Sequence, residues 1–348
     1  ARAQAAAVAT AASAGRDDAG VPPAYGILRL TFRRKGAMTR SRLFDLVRLA
    51  LLVLVVVAVG VALWRNWSAV AAHLSRISWP VLVAAFGLSM LAPILTLMGW
   101  RVLLADLGTD LAPAPAASVF LVGQLGKYVP GSVWSVLAQA EMGARLGVPR
   151  RRMGVAGLLS IGLSVITGCL VGVPAVPLLR GAGEGAFSPW WVVLAVVLGV
   201  VLLWPALLNR IVATGLRLLR REPLEHTLGG RAIVVTVLWF VGAWLAAGAA
   251  VLVLARSVAP DAALGSLSLT AICGFALASA IGMLSVLVPA GVGVRDGILA
   301  LLLVGLMPLG AATAVVVVAR FVTVLVDLAV AGLAWGWGRR HHLLGSSA

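Results

Sequence analysis

Gly126-Lys127-Tyr128-Val129-Pro130-Gly131-Ser132-Val133-Trp134 breaks an otherwise apolar run and carries one of only two lysines in the chain. The roughly 12 residues upstream, 118–129, would rise about 18 Å as helix, against about 30 Å of hydrocarbon in a bilayer. The apolar run downstream, 133–140, is short as well. Unwound backbone at membrane depth survives only where protein buries it or water reaches it, because lipid cannot satisfy its free N–H and C=O groups. A second break, Pro289-Ala290-Gly291-Val292-Gly293-Val294-Arg295-Asp296-Gly297, repeats the pattern: a Pro/Gly turn bearing charge between two apolar runs. Paired interruptions at corresponding places in two halves are the best sequence pointer to a transporter's substrate site.

The composition around these breaks is that of a polytopic membrane protein. Of the 348 residues, 61% are hydrophobic and 11% charged, with a mean hydropathy of +1.05, and apolar runs of about 20 residues recur. The formal net charge of +16 does not point to nucleic acid, because the arginines cluster between apolar runs as the positive-inside rule expects. Cys169 and Cys273 lie inside apolar runs, where neither a disulfide framework nor a four-ligand zinc site is built, and no cofactor or metal is expected. The wealth of Ala, Val, Leu, Gly and Arg, with only two lysines, reads as the coding bias of a GC-rich bacterium, which places the protein in a bacterial cytoplasmic membrane.

Residues 1–44 read as a disordered basic extension, with Met38 as a natural start and the residues before it not native. Full spans are expected at about 49–64, 81–100, 153–179, 190–208, 232–254 and 311–337. Broken segments are expected at about 117–146 and 264–306, and a short interfacial helix within 210–231. Residues 339–348 form a tail. The expected fold is all-α, with six full spans plus two broken or re-entrant hairpins, or eight to ten hydrophobic segments. Connections on one side hold 19 basic residues and those on the other hold four, Arg65, Arg76, Arg180 and Arg256, so both termini are expected to be cytoplasmic. With that parity each broken segment returns to its own side, as a re-entrant pair or as two tilted crossings. The unit span, span, hairpin, span then occurs twice, in halves of about 45–180 and 189–338, in opposite orientations. The expectation of an inverted repeat rests on hydropathy and charge parity, not on residue identity between the halves.

Ionisable groups at membrane depth cost at least about 2.5–3.5 kcal/mol and are functional candidates. Lys127 heads them, with Arg295 and Asp296 in the second break and Arg320 and Asp327 in the last span. Arg320 and Asp327 are about two turns apart on one helix face, too far for a direct bond without a shared partner. Each has a plainer reading: internal neutralisation for the Arg and Asp residues, snorkelling to the headgroups for Lys127, and interfacial belt positions for Tyr128 and Trp134. Gln124, Gln139 and Glu141 are placed to line the first hairpin, Glu141 alternatively to pair with Arg145. Arg150, Arg151 and Arg152 read as orientation signals and contacts to anionic lipid. No Walker A spacing surrounds Lys127, Gly291-Val292-Gly293 lacks a strand-turn-helix context, and the four histidines form no zinc-protease motif.

At its two breaks, and at Gly99-Trp100-Arg101 after the second span, the sequence resembles the lysylphosphatidylglycerol synthase transmembrane-domain family, the flippase-like domain also found in multiple peptide resistance factors. The resemblance extends over about residues 45–338. Members commonly have Arg-Glu where this chain has Arg295-Asp296, and many have lysine where it has Ser132, so charge is kept at the first position and lost at the second. The resemblance implies movement of a lipid between leaflets, in the best-known members an aminoacylated phosphatidylglycerol made by a separate soluble domain. Too few residues follow Trp337 for that domain, so no synthase or other enzyme activity is expected.

In that light Lys127 and Arg295 are expected to contact a lipid phosphate and Tyr128 and Trp134 to flank a headgroup path, with Gln124 and Arg320 along it. Asp296 or Asp327 would balance the cations, and Pro130, Gly131, Pro289, Gly291 and Gly293 would shape the turns. The expected partners are membrane lipids and a separately encoded aminoacyltransferase or glycosyltransferase. The alternatives are a non-transporting scaffold subunit for a lipid-modifying or glycosylating enzyme, a small-solute secondary transporter, and an intramembrane enzyme acting on lipid phosphates.

Overall fold

The computed structural model describes residues 67–74, 76–129, 133–180, 189–218, 220–222, 224–285 and 293–341, all within the unit Phe44–Ala348. The expected extension, the expected span at 49–64, and the turn residues Pro130, Gly131, Pro289 and Gly291 lie outside these. The described regular structure is helical throughout. A short helix, α1 (Trp67–Leu74), precedes α2 (Trp79–Asp106). Pro80 sits in the first turn of α2, where a missing N–H costs nothing. Pro93 lies in its interior and deprives the Ser89 carbonyl of a donor.

The first broken segment consists of α3 (Pro113–Gly123), a 3-10 turn (Gln124–Tyr128) and α4 (Trp134–Arg145). Helices of 11 and 12 residues rise only about 16–18 Å. Next come α5 (Arg150–Gly172), which tightens into a 3-10 stretch over Val173–Arg180 around Pro177, then α6 (Pro189–Leu202) and α7 (Pro205–Leu218). The second half continues with α8 (Gly230–Val258), α9 (Leu264–Leu284), α10 (Val294–Val304) and α11 (Leu309–Arg340).

Among the described residues, five helices are long and apolar enough to cross a membrane: α2, α5 with its 3-10 extension, α8, α9 and α11. A sixth span results if α6 and α7, bent by 64°, are taken together. Two expectations differ from this. The span expected at 190–208 stops at Leu202, and α7 turns away as an amphipathic helix that buries Leu208 and Leu216 while exposing Arg210 and Arg217. The second broken segment is unequal, because α9 alone has 21 residues and rises about 32 Å, long enough for a full crossing.

The helices pack reciprocally. The most extensive contact joins α2 to α8, where Gly99 lies against the Phe240 ring. Then α5 packs on α9 as α11 packs on α3, and α2 on α11 as α8 on α5. Lipid offers no hydrophobic drive for such contacts, so they depend on close approach by small residues. A Cβ on Gly248 would fall 2.6 Å from the Ile272 Cα, and one on Gly172 would fall 2.6 Å from the Leu277 Cβ. Outward faces keep large apolar groups exposed, among them Leu301, Phe321, Leu325 and Leu333.

The resemblance-bearing Gly99-Trp100-Arg101 has structural work. Trp100 is fully buried with its ring 5.2 Å from that of Phe120, and Arg101 donates to the Leu111 carbonyl from Nε at 3.1 Å and Nη2 at 2.9 Å, closing the α2–α3 loop. At the same end, the three consecutive arginines make contacts within the protein. Arg150 forms a bidentate pair with Glu141, both contacts at 2.8 Å. Arg151 donates to the Glu222 carbonyl at 2.9 Å, and Arg152 to the Gly108 carbonyl at 2.8 Å. These bonds tie the connection after α7 to the ends of α2 and α5.

Candidate functional site

The first break is shaped by its glycine and by the proline beyond it. A Cβ on Gly126 would fall 2.5 Å from the Ser135 backbone nitrogen, so only glycine lets the 3-10 turn lie directly on the start of α4. Val129, ahead of Pro130, is extended (φ −84°, ψ 134°), as a residue before proline must be, and the helix ends there. The turn thereby presents Lys127 and Tyr128 to α11. Lys127 Nζ lies 2.7 Å from Asp327 Oδ2, and the Tyr128 hydroxyl donates to the same oxygen at 2.5 Å. The Asp327 side chain is 9% exposed and that of Lys127 36%.

The second break delivers Arg295. Gly293 opens α10 at φ +84°, a left-handed conformation that side chains resist. Asp296 then caps the helix, its Oδ2 facing the Gly293 N–H at 3.5 Å. Arg295 donates from both Nε and Nη2 to Asp296 Oδ1 at 3.0 Å, and its guanidinium carbon stands 5.6 Å from the centre of the Phe275 ring.

Both breaks open on one cavity of about 300 Å³, lined from α2, the 3-10 turn, α4, α5, α8, α9, α10 and α11. Gln124, Lys127, Tyr128, Arg295, Arg320 and Asp327 all line it, so residues nearly 200 positions apart in sequence share one wall. Arg320, Thr323 and Asp327 reach it because their spacing keeps them on one face of α11. With Asp296 holding Arg295, three cations meet two carboxylates. Clustered Arg and Lys side chains of this kind are the groups that bind phosphate electrostatically.

Asp296 reaches the cavity only through Arg295, Glu141 is paired with Arg150, and two further expected residues sit outside the described lining. Trp134, 47% exposed, is not among the lining residues, although its neighbour Ser135 is. Gln139 is buried against Gly123 and Gly157, and its Oε1 has no partner among the described residues. Asp327 is paired with Lys127 of the first break, a neutralisation between elements distant in sequence. The lining also includes Ser160, Ser164, Trp244, Phe275, Ser279 and Thr323, none of which was singled out from the sequence. Their only signal was polarity or aromaticity at helical spacing within apolar runs, which is common in membrane helices because a hydroxyl can bond back to its own backbone.

No curated protein matches the chain. The family described as lysylphosphatidylglycerol synthase TM region matches residues 46–331, a stretch that includes both breaks, the cavity they line and the Gly99–Arg101 packing. The chain is a polytopic helical membrane protein that belongs to this family.

Proposed function

We propose that the protein is a lipid translocase that moves a phospholipid or another phosphate-bearing lipid between leaflets. The headgroup would pass through the cavity while the hydrocarbon chains stay in the membrane, a transport without covalent chemistry. The observation that carries this reading is the convergence of Lys127 from one break and Arg295 from the other, with Arg320 of α11, on a single cavity. Cations at membrane depth are costly, and three of them around a space of headgroup size favour a phosphate ligand over packing alone.

The two halves are read as an inverted repeat. Its support is the reciprocal packing, α2 with α8, α5 on α9 as α11 on α3, together with the charge parity of the connections. In this reading the protein lies in a bacterial cytoplasmic membrane with both termini cytoplasmic, α3 and α4 form a re-entrant pair, and a separately encoded aminoacyltransferase or glycosyltransferase supplies the cargo.

A second reading has an observation of its own. The ion pairs Lys127–Asp327 and Arg295–Asp296 are what a non-transporting scaffold with internally neutralised charges would contain. Headgroup accessibility of labelled lipids in proteoliposomes separates the two. Translocation predicts fast movement in the wild type and movement slowed about tenfold or more in Lys127→Ala and Arg295→Ala, the equivalent of about 1.4 kcal/mol in the barrier. Equal background rates for all three proteins, across anionic, aminoacylated and prenyl-linked lipids, would favour the scaffold.

A further inference from the structure

The cavity's charge and its hydroxyl lining together select a headgroup chemistry, an inference that rests on the translocase reading. Among the described residues, three cations and two carboxylates sum to one net positive charge. Asp327 is the single carboxylate among the described lining residues, and it is already taken by Lys127 and Tyr128. Asp296 is likewise taken by Arg295. To pair with a carboxylate here, a headgroup ammonium would have to displace one of the protein's own cations, and it would add like charge to a positive space, which is unfavourable. A single negative charge relieves the excess without breaking either pair.

The rest of the described polar lining is uncharged. Ser89, Ser160, Ser164, Ser279 and Thr323 contribute hydroxyls. Ser279 is the informative one: it is 7% exposed, and its Oγ has no hydrogen-bond partner among the described residues. A buried hydroxyl without a partner forfeits about 1–3 kcal/mol, which a ligand hydroxyl would return. Ser89 adds a carbonyl that Pro93 leaves without its helical donor. The Trp244 indole N–H is tied to the Ser164 carbonyl at 3.1 Å, so Trp244 faces the cavity as an apolar wall. An aromatic wall beside several hydroxyls suits a polyol, whose C–H faces are apolar and whose edges donate and accept. The volume of about 300 Å³ equals the space of about ten waters, sufficient for a headgroup but not for acyl chains.

We infer that the cargo is a lipid phosphodiester with one net negative charge and an uncharged, hydroxyl-bearing headgroup, glycerol or a sugar, rather than an aminoacylated lipid.

The test is the thermal unfolding midpoint of the purified full chain in neutral detergent, titrated with short-chain lipids. The probes are dihexanoyl phosphatidylglycerol, a short-chain prenyl phosphoglucose, dihexanoyl phosphatidylmethanol, which has the same charge without hydroxyls, and dihexanoyl lysyl-phosphatidylglycerol. Expected is binding of one or both polyol phosphodiesters about tenfold tighter than the lysyl lipid and about threefold tighter than phosphatidylmethanol. Whichever polyol arm binds more tightly identifies the source. Arg320→Gln should erase the preference over the lysyl lipid, Arg320→Lys should keep it, and Ser279→Ala should erase the preference over phosphatidylmethanol. If Arg320→Gln does not fold, the wild-type ranking and Ser279→Ala decide. Lysyl lipid binding as tightly as the polyols, or no stabilisation by either polyol, overturns the inference. The same lipids in proteoliposomes test the reading beneath it: the expected binding order with no movement of any lipid would sink translocation and leave the headgroup selectivity standing.

Discussion

Asp327 joins the two halves of the site, because its Oδ2 receives both Lys127 and Tyr128 from the first break. Removing one partner of a buried pair leaves an uncompensated charge and costs about 3–5 kcal/mol. Lys127 is more than a third exposed, so screening and snorkelling reduce that figure. Asp327→Ala is therefore expected to destabilise the protein by about 2 kcal/mol, and the double variant Lys127→Met/Asp327→Leu to recover most of that loss. Unfolding in detergent, run as a double-mutant cycle, checks this, and additive losses would mean that the pair is not coupled. The sequence marked Lys127 and Asp327 individually, since ionisable residues in apolar runs stand out. It could not pair them, because 200 positions separate them and only the packing of α3 on α11 brings the turn to that helix. Ser279 was invisible for the opposite reason: one hydroxyl in an apolar helix is commonplace, and its lack of a partner exists only in three dimensions.

Among the elements, the 3-10 turn depends on contact between its backbone and that of α4. Gly126→Ala would place a Cβ 2.5 Å from the Ser135 nitrogen, and backbone cannot swing aside as a side chain can. The expected outcome is a loss of about 1–3 kcal/mol and slowed lipid movement, since the displaced turn carries Lys127. Gly162 in α5 meets nothing within 4 Å, so Gly162→Ala should leave movement unchanged and stabilise the helix by about 0.5–1 kcal/mol. Thermal unfolding and the lipid accessibility assay read both. An unchanged Gly126→Ala would show that the turn need not lie against α4. Both breaks were legible as Pro/Gly interruptions, but their inequality was not. Hydropathy placed α9 and α10 together in 264–306, whereas the long first arm emerges from α9 packing along α5 and α8.

For the molecule as a whole, the inverted-repeat reading predicts opposite sides for the corresponding connections after α2 and after α8. In a chain with Cys169 and Cys273 replaced, Asp110→Cys, exposed after α2, should react with an impermeant thiol reagent only after cell lysis, and Asp261→Cys in intact cells. Labelling of both from the same side would end the inverted reading. What the sequence determined by itself was the class of the protein: apolar runs about as long as a bilayer is thick, basic residues gathered in the connections, and two charged Pro/Gly breaks. Each is a local property, read within a window of about 20 residues because the bilayer imposes its own length and charge rules on every segment separately. Only the tertiary structure decided which charges meet, which hydroxyls share their cavity, and that Trp134 and Gln139 stay out of its lining. Those outcomes depend on helix rotation and close approach, set where small residues such as Gly126, Gly172 and Gly248 admit a neighbour, and no local pattern records which neighbour that will be.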